Sequence, residues 1–163
     1  MTRKIFYAGS FDPVTMGHVD LIERASRLFD GVVVGVGSNV TKAPLFTSEE
    51  RVEMVRDQTV AVDGVEVIAF DGLAVEAARH HGCGLLLRGL RTSTDFENEL
   101  VMALTNRRLA PDIDTVFMAP SERYGYLSSR LIKEVVLNGG RIDEFIAPGI
   151  ARALIERTKK RKN

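Results

Sequence analysis

The run Tyr7-Ala8-Gly9-Ser10-Phe11-Asp12-Pro13-Val14-Thr15-Met16-Gly17-His18 gathers residue types suited to handling phosphate. It follows the apolar pair Ile5-Phe6 and reads as a first strand whose small-residue loop feeds a helix. A helix start exposes unpaired N–H groups and a positive dipole end, a ready seat for phosphate. His18 closes a Thr-x-Gly-His run and adds a side chain able to donate to a phosphate oxygen, which points to nucleotide chemistry rather than storage. Polar runs recur along the chain: Ser38-Asn39-Val40-Thr41-Lys42, Asp71-Gly72-Leu73-Ala74, Arg88-Gly89-Leu90-Arg91-Thr92-Ser93-Thr94-Asp95, and Ala119 to Tyr124 followed by Leu127-Ser128-Ser129-Arg130-Leu131-Ile132-Lys133. Taken singly, most have plain explanations. Gly9 and Gly17 suit turns, His18 suits a helix cap, Lys42 suits solvent, and Ser128-Ser129 suits a cap. Arg88 is harder to dismiss, because it follows Leu85-Leu86-Leu87 and a guanidinium at a buried strand end needs an anion.

The elements that must position these residues alternate in type. Strands are predicted at Lys4–Ala8, Val32–Val36, Val65–Phe70, Gly84–Arg88 and Asp114–Met118, apolar with little alternation, as parallel strands covered on both faces are. Helices are predicted at Gly17–Phe29, Ser48–Gln58, Ala74–His81, Asp95–Leu109, Ser129–Leu137 and Pro148–Arg157. In the first, Leu21, Ile22, Ala25, Leu28 and Phe29 form one apolar stripe. Thr47-Ser48-Glu49-Glu50 and Thr94-Asp95-Phe96-Glu97 both match the capping box, and Gly139-Gly140 stops a helix. The alternation implies a single-domain, Rossmann-like α/β fold over 1–163: a doubly wound five-stranded parallel sheet, helices on both faces and a C-terminal helical extension. Ligands are then expected at the carboxyl ends of the strands, where His18, Lys42, Arg88 and Arg91 would converge on a polyanion. In the helix from Asp95, residues Asp95, Glu99, Met102 and Asn106 share one stripe, which suits the wall of a groove for an amphipathic arm.

Composition bounds the rest. The 163 residues are 45% hydrophobic, which fits one domain of ordinary size. The 22 basic and 22 acidic residues leave no net charge, so no nucleic-acid footprint is expected. No apolar run approaches the ~20 residues that span a bilayer, and Met1-Thr2-Arg3-Lys4 leads into a strand without a signal-peptide core. The one cysteine, Cys83, reads as a buried small hydrophobe, and a reducing cytoplasm is the expected setting. The basic run Arg157 to Lys162 reads as a solvated last helical turn.

Taken together, Gly9-Ser10-Phe11-Asp12-Pro13 with Thr15-x-Gly17-His18 resembles the signature loop of the nucleotidyltransferase superfamily that shares its fold core with class I aminoacyl-tRNA synthetases. Adding Arg88-Gly89-Leu90-Arg91, Asp95-Phe96-Glu97-x-Glu99 and Ser128-Ser129-x-Leu131-x-Lys133-Glu134-Val135, the chain from Ile5 to its last helix resembles the bacterial phosphopantetheine adenylyltransferases. The resemblance implies adenylyl transfer from ATP to 4′-phosphopantetheine with magnesium, giving dephospho-coenzyme A and pyrophosphate in coenzyme A biosynthesis. It implies catalytic roles for His18 and Lys42. Ser10, Lys42, Ala74, Arg88 and Asn106 would hold the acceptor. Ser10, Phe11, His18, Gly89, Leu90, Arg91, Glu99, Tyr124, Gly125, Tyr126, Leu127, Ser128, Ser129 and Arg130 would hold ATP. A homohexamer built as a dimer of trimers and feedback binding of coenzyme A are also implied, with neither nucleic acid nor membrane as partner; the magnesium ligands stay unassigned. Three positions depart from the family pattern: Ala8 stands for the common Pro, Ser10 for Thr, and Arg130 for a third serine. Two other readings remain open on the residues. One is a sister nucleotidyltransferase acting on nicotinamide mononucleotide or glycerol phosphate. The other is a non-catalytic α/β module such as a receiver domain, in which Asp71 would imitate the phosphate-accepting Asp.

Overall fold

The computed structural model describes residues 3–38 and 43–162. Five strands, β1 (Lys4–Gly9), β2 (Gly31–Gly37), β3 (Val65–Phe70), β4 (Leu85–Gly89) and β5 (Asp114–Met118), form one sheet in the order β3-β2-β1-β4-β5. Every pairing is parallel, with Ile5 beside both Val32 and Leu85, and Leu87 beside Val116. Six helices connect or follow the strands: α1 (Met16–Leu28), α2 (Ser48–Thr59), α3 (Ala74–His80), α4 (Ser93–Leu109), α5 (Ser129–Leu137) and α6 (Pro148–Lys162). The chain steps outward from β1 to β3, then returns to lay β4 against the other side of β1. That reversal opens a crevice at the carboxyl ends of β1 and β4, where ligands of such sheets sit. A receiver-type sheet would carry the order 2-1-3-4-5, so the topology removes that alternative.

Strand residues alternate between two cores, as a period of two requires. Ile5, Tyr7, Val32, Val34, Val36 and Leu87 face the thicker layer, packed with Leu21, Ile22, Val55, Ile132 and Leu154 from α1, α2, α5 and α6. Phe6, Ala8, Val33 and Leu86 face a thinner layer with Val75 and Ala78 of α3, and Cys83 is buried there as expected. Gly35 serves this packing directly, because a Cβ there would lie 2.3 Å from the Phe6 ring.

Most helix starts fall where the sequence places them. Thr47 accepts from the Glu50 amide and the Glu50 carboxylate accepts from the Thr47 amide, the reciprocal capping box. α4 is a correction. Its cap is Thr92, which accepts from the Asp95 amide at 3.1 Å, and the helix begins at Ser93 rather than Asp95. Thr92, Thr94 and Asp95 all compete as caps, and Thr92 leaves the Asp95 carboxylate free to accept from Arg91 at 2.9 Å. α6 is longer than predicted and carries the basic run. Arg157 also departs from the solvated reading: it pairs with Glu50, reaches the Leu45 carbonyl and lies 5.2 Å over the Phe46 ring. Gly139, at φ +77°, supplies the left-handed residue that ends α5. None of the helices among the described residues is long and apolar enough to cross a membrane.

α4 is unlike the others. It buries no residue, and Phe96, Leu100, Val101, Met102, Leu104 and Leu109 are all exposed. Its half-buried stripe is Asp95, Glu99, Ala103 and Asn106, so Met102 lies off the stripe on which periodicity placed it.

Candidate active site

The crevice between β1 and β4 deepens into a cavity of about 410 Å³. Its walls come from the end of β1 and its loop (Tyr7 to Ser10), the start of α1 (Thr15, Gly17, His18), the end of β4 (Arg88, Gly89) with Arg91 and Glu99, and the segment Pro120 to Arg130. The N-termini of α1 and α5 both open onto it, so two positive dipole ends share one space.

The β1 loop is held in an unusual shape. Phe11 takes φ +46°, a left-handed backbone that a bulky side chain rarely adopts. Its ring is buried and packs edge-on against Tyr7 (5.4 Å) and His18 (5.0 Å), contacts that over-determine the conformation. Gly9 is required for the same reason, since a Cβ there would meet the Phe11 ring at 2.9 Å. Asp12 is 4% exposed, and its carboxylate accepts from the amides of Leu45 and Phe46 and from Lys133 at 2.7 Å. Burial opposes its ionisation, but those donors outweigh it and hold the carboxyl below its ordinary range. From α5, Ser129 donates to the Pro13 carbonyl at 2.7 Å. Ser129 and Lys133, one helical turn apart, thus fasten the β1 loop to α5. Arg51, 2% exposed, donates to the carbonyls of Ser10, Gly37 and Phe46 and joins the ends of β1 and β2 to α2.

His18 is defined by its hydrogen bonds. Thr15 caps α1, and Nδ1 of His18 accepts from the Thr15 amide at 3.0 Å, with the Thr15 hydroxyl at 3.1 Å. An acceptor Nδ1 assigns the ring proton to Nε2. Burial, reinforced by the Arg91 charge, lowers the pKa from 6.5 to about 4. At neutral pH His18 is therefore an uncharged imidazole with one N–H to offer the cavity. Sequence allowed a capping or a chemical role; Nδ1 performs the first, and Nε2 has no hydrogen-bond partner among the described residues.

Both predicted arginines are present and both are paired. Arg88 binds Glu99 through two bonds of 2.6 Å and donates to the Ala8 carbonyl at 2.9 Å. Burial alone would lower its pKa, and the Glu99 pair reverses this and raises it. Arg91 holds Asp95 at 2.9 Å and the Leu127 carbonyl at 2.9 Å. Ser128 caps α5 by accepting from the Leu131 amide, so what it and Ser129 can offer an anion is chiefly backbone N–H. A second cavity of about 360 Å³ adjoins the first and shares Ser10, Ser129 and Arg130 with it. Arg130 therefore lies at the junction of the two.

Of the residues singled out from sequence, Ser10, His18, Arg88, Gly89, Arg91, Glu99, Tyr124, Leu127, Ser128, Ser129 and Arg130 line the main cavity. Phe11 stands behind the wall as packing. Leu90 bonds the Met118 carbonyl, Gly125 follows the turn Glu122–Tyr124, and Tyr126 is exposed against Phe145. Ala74 packs into the thinner core, and Asn106 sits on the half-buried stripe of α4, both outside the cavity wall. Lys42 lies outside the described residues. Sequence reasoning missed Tyr7, which lies within a strand rather than after it, and the supports Arg51, Lys133 and Asp20. Asp20 accepts from the amide of Ser121 at 3.0 Å and from its hydroxyl, which anchors the Pro120 wall to α1. Arg51 left a signal, because it shares the inward stripe of α2 with Val52, Val55 and Thr59.

Among the described residues, no group of three His, Cys, Asp or Glu side chains could hold a metal ion. The carboxylates near the cavity are already engaged: Glu99 by Arg88, Asp95 by Arg91, and Asp12 by amides and Lys133. The described residues therefore do not fit a dedicated magnesium cage.

The fold has known counterparts. A structure from Vibrio parahaemolyticus, assigned as a nicotinate-nucleotide adenylyltransferase, matches 100% of this chain and 98% of its own at TM-score 0.69 and 14% identity. A lipopolysaccharide core biosynthesis protein from Thermoplasma volcanium GSS1 matches 74% of this chain and 98% of its own at TM-score 0.52 and 19% identity. At such identities the likeness carries the fold alone. The sequence carries more: the cytidylyltransferase-like family matches residues 6–135, from β1 through the start of α1 that holds His18 to the middle of α5. With that match spanning the elements that build the cavity, the chain belongs to the cytidylyltransferase-like family of nucleotidyltransferases.

Proposed function

We propose that this nucleotidyltransferase moves the adenylyl group of ATP onto 4′-phosphopantetheine, releasing pyrophosphate and forming dephospho-coenzyme A. The observation that carries the reading is the neutral His18, whose Nε2 proton has no partner among the described residues, in one cavity with two helix N-termini, Arg88 and Arg91. The acceptor phosphate is an anion near neutral pH, so it attacks the α-phosphorus of ATP without a general base. A new P–O bond forms in line as the bond from the α-phosphorus to the bridging β-oxygen breaks, and the electron pair leaves with pyrophosphate. The protein's task is to align two anions that repel each other and to stabilise charge growing on the α-phosphate oxygens. His18 donates to one of those oxygens, and Lys42 is assigned a parallel role by the family resemblance. Arg88 and Ser10 take the acceptor phosphate, and Arg91 with the start of α5 takes the β- and γ-phosphates.

Magnesium is proposed to arrive on the nucleotide, its ligands being phosphate oxygens and water. A cytoplasmic setting, feedback by coenzyme A and assembly into a homohexamer complete the proposal. The exposed apolar side chains of α4 support self-association, since single domains rarely leave such a helix uncovered.

A second reading, adenylyl transfer to nicotinate mononucleotide, is favoured by the full-length match to the Vibrio structure. The test is pyrophosphate release from ATP with each acceptor in turn. Release with 4′-phosphopantetheine alone supports the first reading, and release with the mononucleotide alone replaces it.

A further inference from the structure

Tyr7 stands in the cavity wall with a polar group that has no hydrogen-bond partner among the described residues. Alternation along β1 turns it to the α1 side, edge-on to Phe11 at 5.4 Å and 6.4 Å from the His18 ring. The residue is 6% exposed, and its hydroxyl has no hydrogen-bond partner among the described residues. Yet no fully buried side-chain nitrogen or oxygen among them lacks a partner. The small exposure of Tyr7 belongs to the cavity that it lines.

A buried tyrosine ordinarily spends its hydroxyl on a partner, because desolvating that group without one is costly. The ring packing of Tyr7, edge-on to Phe11, would be met by a plain phenyl ring as well. The charges acting on the phenol are Arg88 first, then Arg91 and Glu99. Tyr7 also sits beside Leu87 in the sheet, and Arg88 donates to the Ala8 carbonyl at 2.9 Å, so the guanidinium lies at the same end of β1.

We propose that Tyr7 is a binding residue whose hydroxyl donates to an oxygen of the acceptor's phosphate monoester, alongside Arg88. This rests on the adenylyl-transfer reading for which phosphate Arg88 receives. Burial raises the phenol well above its ordinary range, which keeps it protonated and a donor at any working pH. A neutral donor is useful there, because it adds a bond to the phosphate without drawing in another carboxylate, as Arg88 has drawn Glu99.

The test is Tyr7→Phe, which removes the oxygen alone. Phosphorus NMR titrations of wild type and variant would use inorganic phosphate, 4′-phosphopantetheine and ATP as separate probes, with melting temperature measured alongside. Hydrogen bonds to charged groups set the expected loss at about ten- to a hundredfold in affinity for phosphate and for 4′-phosphopantetheine. ATP affinity is expected to stay within about twofold, and the melting temperature to hold or rise, because an unsatisfied buried group has gone. Unchanged phosphate affinity overturns the proposal, as does a loss confined to ATP or a wild type that binds no phosphate. A fall in melting temperature with all affinities intact would make Tyr7 structural and also overturn it. Wild-type pyrophosphate release separates the two ideas. If release needs another phosphate acceptor while phosphate binding still depends on Tyr7, the acceptor's identity falls and the Tyr7 assignment stands. If release with 4′-phosphopantetheine is normal and Tyr7→Phe matches wild type, the reverse holds.

Discussion

Replacing His18 by alanine should show two separable losses, one in turnover and one in how stability depends on pH. The turnover loss follows from removing a pre-positioned N–H donor, about 10²- to 10³-fold in kcat. The stability loss follows from the Nδ1 bond to the Thr15 amide. The imidazole pKa falls from 6.5 in the open chain to about 4 in the folded protein, so between those values the unfolded state binds the extra proton. Folding stability is then fully present above about pH 6.5 and falls as the pH drops toward 4. A displacement of that size corresponds to at most about 3 kcal/mol, less to the extent that the ring meets water in the cavity. His18→Ala lacks this slope, but at pH 7 it loses one half of the capping box, about 1 kcal/mol. The assay is urea unfolding of both proteins at intervals from pH 7 to 4. Wild type should lead at pH 7, and the gap should close or invert near pH 4, with every other titrating group common to both. Parallel pH dependences would refute the neutral, Nδ1-accepting assignment, even if turnover fell as expected.

Three further outcomes follow from the site. Arg88→Ala should raise KM for the acceptor phosphate more than KM for ATP in steady-state pyrophosphate release, and it strands the half-buried Glu99 that Arg88 pairs with. Asp12→Asn should destabilise by about 2–4 kcal/mol in chemical unfolding, the range for breaking a hydrogen-bonded pair that is buried on one side, discounted for the partly exposed lysine. Because the Asp12 carboxyl is held low, its stabilisation is present above the ordinary carboxylate pKa and fades as acid drives the pH through the lowered value; the variant should lack that acid-range slope. Thr92→Ala should cost about 1 kcal/mol while Thr94→Ala costs under about 0.5, both read as melting shifts, and the opposite ranking would return the cap to Thr94.

The strand and helix order was legible because each element carries its own period, and a parallel sheet buried on both faces leaves little polar alternation to confuse it. The cap of α4 was not, because Thr92, Thr94 and Asp95 are all capping side chains, and the one that caps leaves Asp95 to pair with Arg91 four residues before it. Residues after strands were legible as site residues for a topological reason: strand ends are where such a sheet opens. Tyr7 escaped that rule by lying inside β1, and Asp20 and Lys133 escaped it by acting on the loops rather than on the cavity. The pairing of Arg88 with Glu99 was hidden as well. The two lie 11 positions apart on different elements, and no periodicity links them.

That pairing has a consequence for how the site meets its ligands. Arg88 and Arg91 each bring a carboxylate, so the field of these two arginines cancels within a few ångströms. Their share in capturing a phosphate should then respond only weakly to ionic strength, unlike unpaired cations that steer anions over long distances. Entry becomes an exchange in which a phosphate takes over donors from Glu99 or Asp95, so singly charged anions that merely match the sign gain little. The site selects at close range, by what a ligand can offer in place of a carboxylate.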